Sequence, residues 1–135
     1  MPYCRALLIA SILVLETACV SVTTLDGERL TAPSNEFRAY VEAVFREQNR
    51  VATDLAFALE SSANPAEQDE IEAAEGELIV ACASLNEIAT ERRSGSELSR
   101  QRQIDAAKSA PQCERATQAA AVTLESARRQ APNRN

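Results

Sequence analysis

The stretch NPAEQDEIEAAEGELIVACASLNEIATERRSG, residues 64–95, decides the fold. Asn64 offers a side-chain oxygen to the first free N–H groups of a helix. Pro65 fits the first helical position, where its missing N–H is no loss, and Glu67 stands near the place of a capping-box carboxylate. Arg92 and Arg93 suit the negative end of the helix dipole, and Gly95 lies just beyond them as a stop. Between these signals Ile71, Leu78, Cys82, Leu85 and Ala89 fall on one face at about 100° per residue. Such a helix spans roughly 40 Å and cannot bury that face alone.

The neighbours it needs lie on either side. Upstream, Ser34 or Asn35 caps and Glu36 favours the first turn, and Phe37, Val41, Val44, Gln48, Val51, Leu55 and Leu59 then form a narrow stripe close to a heptad seam. The stripe ends near Ser61-Ser62-Ala63, a connection short enough to fold the two helices into an antiparallel hairpin. Downstream the pattern predicts a broken helix. Ser96 caps a short segment from Glu97 to about Lys108, and Ser109-Ala110-Pro111-Gln112 then reads as a second start, because proline belongs in a first turn and not in mid-helix. The last segment runs to about Gln130 with Cys113, Ala116, Ala120, Leu124 and Ala127 on one side. The expected fold is all-α: an antiparallel helical bundle of two long helices and a broken third, over residues 34–130, with a frayed tail at 131–135.

The chain opens on a positive segment, Met1 to Arg5, and an apolar run from Ala6 to Leu15. As a helix that run rises only about 15 Å, half a bilayer core, which predicts a signal-peptide core (residues 1–18) and not a membrane span. Leu15-Glu16-Thr17-Ala18-Cys19 then resembles the lipobox of bacterial lipoproteins. Thr17, Ala18 and Cys19 match it, whereas Glu16 stands where the family has an apolar residue. The resemblance implies that Cys19 carries diacylglycerol and becomes the new N-terminus, and that Val20, in place of a retaining Asp, directs the chain to the periplasmic face of the outer membrane. Ordinary secretion as a soluble periplasmic protein is the alternative. Residues 19–33 show no helical stripe and read as anchor and tether, with a turn at Asp26-Gly27. Extended, a tether of that length reaches on the order of 45 Å, enough to stand the bundle clear of the membrane.

The compartment sorts the four cysteines. Cys4 goes with the leader and Cys19 is the anchor candidate, which leaves Cys82 and Cys113 in an oxidising space, where they are expected to pair. No CxxC spacing suggests a redox role.

Candidate functional residues are few. The net charge is −6, which disfavours nucleic acid as a partner. The chain has no His, no Ser/Lys motif and no glycine-rich loop, so no enzyme chemistry, metal or cofactor is expected. Glu67, Asp69, Glu70, Glu72, Glu75 and Glu77 scatter around the axis of their helix and read as a solvated face. Arg92, Arg93, Arg100 and Arg102, with Glu91, form a basic rim that suits a helix terminus or anionic headgroups. Two apolar features fall off the core stripes: Phe57, and the strip Ala73, Gly76, Val80, Ala83. The strip is expected to pack on the last helix, with a partner or a second copy of the chain as the alternative. Gly76 costs about 1 kcal/mol in mid-helix, which a close backbone approach would offset. These features favour a non-enzymatic envelope protein that binds another envelope protein through helix faces. In architecture alone it is similar to the pilotin lipoproteins of secretion systems. A periplasmic inhibitor or immunity protein, with an acidic surface against a cationic enzyme or toxin, is the alternative.

Overall fold

A computed structural model describes residues 20–130. The leader, Cys19 and the tail at 131–135 lie outside the described residues. In chain order the elements are β1 Val20–Thr23, β2 Arg29–Ala32, α1 Asn35–Ser61, α2 Pro65–Ser94 and α3 Arg100–Gln130. The three helices pack on one another pairwise. The start of α1, the end of α2 and the start of α3 meet around one cavity, and the opposite ends meet around another, so the bundle runs up, down, up.

The caps follow the local chemistry. Ser34 Oγ accepts the N–H of Phe37 at 3.1 Å and starts α1. Asn64 Oδ1 accepts the N–H of Ala66 at 3.1 Å ahead of Pro65. The N–H of Asn64 donates to Ser62 Oγ instead of to Glu67. At the end of α2, Gly95 takes the left-handed conformation (φ 74°), its N–H reaches the Arg92 carbonyl and the N–H of Ser96 reaches that of Glu91. That pair of bonds is a Schellman closure, available to glycine without steric cost.

The core lies on the stripes. Phe37, Val44, Gln48, Val51 and Leu55 of α1, Ile71, Leu78, Cys82 and Leu85 of α2, and Cys113, Ala120, Leu124 and Ala127 of α3 are buried. Cys82 and Cys113 form a disulfide with an S–S distance of 2.04 Å and no solvent exposure at either residue. They lie at about the same depth from the α2–α3 loop, as antiparallel neighbours must to be joined.

Two expectations are corrected. First, the third stretch is one unbroken helix with Pro111 inside it. It begins at Arg100 and not at Glu97; Ser99 Oγ accepts the N–H of Arg102 and the Ser99 carbonyl that of Gln103. An internal proline costs about 3 kcal/mol through its lost hydrogen bond and ring clash. Burial of Ala106, Ala107, Ala110 and Cys113 on either side of it, and the cross-link to α2, hold the segment helical against that cost.

Second, residues 20–32 are no tether. β1 and β2 form an antiparallel hairpin that pairs Val20 with Ala32 and Val22 with Leu30. The turn at Asp26-Gly27 is as expected: Gly27 has φ 84°, and the backbone N–H of Thr24 and of Glu28 close on the Glu28 carbonyl and Thr24 Oγ. Val22 and Leu30 point to one side of the ribbon and bury against Phe37 of α1 and Ala107 of α3. A two-stranded ribbon is marginal by itself, and this apolar contact with two helices is what stabilises it.

Candidate functional site

The hairpin and the bundle enclose a slot at the end where α1 and α3 begin and α2 ends. Its cavity is about 390 Å³, within the range of small-molecule sites. Val20, Phe37, Val41, Leu85, Ile88 and Ile104 supply apolar walls from four elements. Arg38 of α1, Arg92 of α2 and Arg100 of α3 stand in the same lining. Arg50, Arg102 and Arg128 are held in ion pairs, and among the described residues neither Arg38 nor Arg92 is within ion-pair distance of a carboxylate.

The basic rim expected from the sequence is thereby redrawn. Arg102 is held by Glu87 and Glu91 of α2, a clamp across the α2–α3 connection. Arg38, remote in sequence and unremarkable by spacing, joins Arg92 and Arg100 instead. Sequence reasoning had no signal for it, because the juxtaposition is made by the bundle and not by the helix that carries it.

Beside the slot, Glu114 of α3 joins three elements. Its Oε2 accepts the Tyr40 hydroxyl at 2.8 Å and the backbone N–H of Leu25 at 3.3 Å. Burial, then the hydrogen bond and charge of Glu114, push the Tyr40 phenol well above its ordinary range. The phenol is therefore a donor at every physiological pH. At mid-length on α1, the Arg50 hydrogen bond holds the Glu47 carboxyl below the usual range, and Asp54 bridges Arg50 to Arg128 of α3. These exposed pairs contribute little to stability.

The residues singled out as partner contacts fall on two separate faces. Phe57, 66% exposed, sits over the α1–α3 seam in a shallow depression with Ala58, Leu124 and Ala127. Ala73, Gly76 and Val80 lie in the open, and Val80 is 76% exposed. The expected packing of this strip on the last helix is thus corrected: α3 passes beside it, not over it. A Cβ built on Gly76 meets nothing within 4 Å, so no close backbone approach explains that glycine. Gly76 and Val80 instead share a shallow groove with Gln112, Arg115, Ala116 and Ala119 of α3. Val122, 65% exposed, stands one turn further along α3 from Ala119. The strip is broader than the sequence suggested, because the antiparallel register set by the disulfide lays two small-residue helix faces side by side.

Among the described residues no three His, Cys, Asp or Glu side chains gather as metal ligands, and no helix is long and apolar enough to cross a membrane. The acidic side chains of early α2 belong to the end of the bundle remote from the slot. Compared with protein-family models, curated proteins and solved structures, the chain matches none.

Proposed function

We propose that the chain is an envelope lipoprotein, held through Cys19 on the periplasmic face of the outer membrane, that acts without catalysis by binding another envelope protein through its helix faces. The observation that carries the binding half of this reading is the open apolar strip of Ala73, Gly76 and Val80 on α2, continued by Ala119 and Val122 on α3. An apolar strip that runs across two adjacent helices supports a contact surface there. The membrane half rests on the apolar leader and on Thr17-Ala18-Cys19.

Both halves have a direct test in cells. Cys19→Ser should move the protein out of the membrane fraction and abolish its labelling by a fatty-acid probe. A photo-reactive residue at Val80 should cross-link one defined envelope protein, and Gly76→Arg should abolish that product while a photo-reactive residue at Glu60 never forms it. A wild-type chain already soluble and unlabelled would end the anchored reading. A product formed with a secreted hydrolase or toxin would replace the envelope partner by the inhibitor reading, and a product formed between two copies of the chain would make the strip a dimer seam.

A further inference from the structure

The slot at the hairpin end is not used by the partner-binding reading. It joins three features: apolar walls from Val41, Ile88 and Ile104, the cationic residues Arg38 and Arg92, and Val20 in the same lining. The first takes hydrocarbon and the second takes an anion, so a ligand that satisfies both is an amphiphile with an anionic head. The third places the source. Cys19 is the residue before Val20, and one residue spans at most about 3.5 Å, so an anchor on Cys19 would set the slot at the surface of the leaflet.

We infer that this slot binds an anionic phospholipid of that leaflet, with an acyl chain against Val41, Ile88 and Ile104 and the phosphate on Arg38 and Arg92. The choice of a leaflet lipid rests on the anchored reading above; the amphiphilic chemistry of the slot does not. The neutral diacylglyceryl group that an anchored Cys19 would itself carry is the competing occupant, and it offers no anion to Arg38 and Arg92. Carboxylates stand near the slot as well: Glu91 and Glu87 pair with Arg102, Glu114 accepts from Tyr40 and Asp105 from Gln101, and Glu42 lies one turn along α1 from Arg38. The lining itself carries Arg38, Arg92 and Arg100 and no carboxylate, although the whole chain is acidic.

The test mixes the full chain, as cells process it, with vesicles of phosphatidylcholine alone or with phosphatidylglycerol added. Each set is doped with the same lipid bearing a diazirine on its acyl chain. Phosphatidylglycerol should cross-link to peptides containing Val41, Ile88 or Ile104. The exposed pair Arg38→Gln/Arg92→Gln should lower that yield about tenfold with the helical spectrum unchanged. Equal yields from the two lipids would overturn the inference and hand the slot to the protein's own anchor or to apolar contact alone. Cross-links scattered outside the slot, or complete displacement by palmitate at equal concentration, would overturn it too. Fatty-acid labelling of Cys19 is read on the same preparation. Absent labelling with intact slot cross-links removes the anchor and keeps the lipid site; the reverse removes the site alone.

Discussion

At the scale of single residues, Gly76 and Gln48 each break a local rule. Gly76 sits in mid-helix with open space where a Cβ would stand. Gly76→Ala should therefore raise the stability of the isolated protein by about 0.5–1 kcal/mol in chemical denaturation, since it removes backbone freedom from the unfolded chain and meets no clash. If a partner's backbone lies close to this position, the same change weakens the Val80 cross-linked complex; an unchanged complex would take Gly76 out of the contact. Gln48 occupies a heptad-spaced position in the core of α1, is only 6% exposed, and its Oε1 has no hydrogen-bond partner among the described residues. A polar group so placed costs roughly 1–3 kcal/mol. Its position on the core stripe was legible from spacing alone, as was that of Val51 and Leu55 at full burial. What spacing does not carry is the neighbourhood across helices. Arg38 at the slot, and the bond from Tyr40 to Glu114, required the three-dimensional register.

At the scale of elements, α1 and α2 were readable because caps, period and stop agree, and α3 was not because Pro111 pointed the other way. Local chemistry favoured a restart at Ser109; burial of Ala106, Ala107, Ala110 and Cys113 against α2 decided for continuity. Ser109 Oγ, expected to cap, donates back to the Ala106 carbonyl within the helix. A continuous helix predicts that Pro111→Ala stabilises the protein, by about 1–3 kcal/mol in thermal or chemical unfolding. A restart would make the change neutral or harmful, because proline suits a first turn. The hairpin was readable in principle. Val20-Ser21-Val22-Thr23 and Arg29-Leu30-Thr31-Ala32 alternate with a period of two around Asp26-Gly27. The lipobox resemblance drew the segment into the anchor instead. The disulfide is the element-level staple. Closing a loop of 31 residues is worth about 3.5 kcal/mol in the chain-entropy model. Its loss in Cys82→Ser/Cys113→Ser should loosen α3 first, since an alanine-lined seam buries little apolar area per residue. Hydrogen exchange checks this: protection should fall in α3 well before it falls in the core of α1, and a uniform fall over all three helices would contradict it.

At the scale of the whole molecule, charge and anchor geometry point the same way. The six acidic side chains from Glu67 to Glu77 lie in the first half of α2, while Arg92, near the α2 end, shares the slot lining with Val20. Along the axis Glu67 lies about 38 Å and Glu77 about 22 Å from Arg92, both more than twice the Debye length of about 8 Å at physiological salt. Repulsion between the acidic end and an anionic leaflet is thus screened out, and the slot end meets the membrane on its own local charge. The folded hairpin is what changes the picture drawn from the sequence, where a tether of about 45 Å let the bundle stand off. With Val20 already part of the packed unit, only Cys19 would separate the bundle from its lipid. The decisive measurement is depth. The anchored chain is reconstituted in vesicles with a fluorophore at Arg93→Cys or at Ala63→Cys, and a quencher is carried on the lipid headgroups. A docked hairpin predicts strong quenching at position 93 and none at position 63; equal quenching at the two positions, or none at either, would mean that the bundle stands off or tumbles freely, and would contradict it.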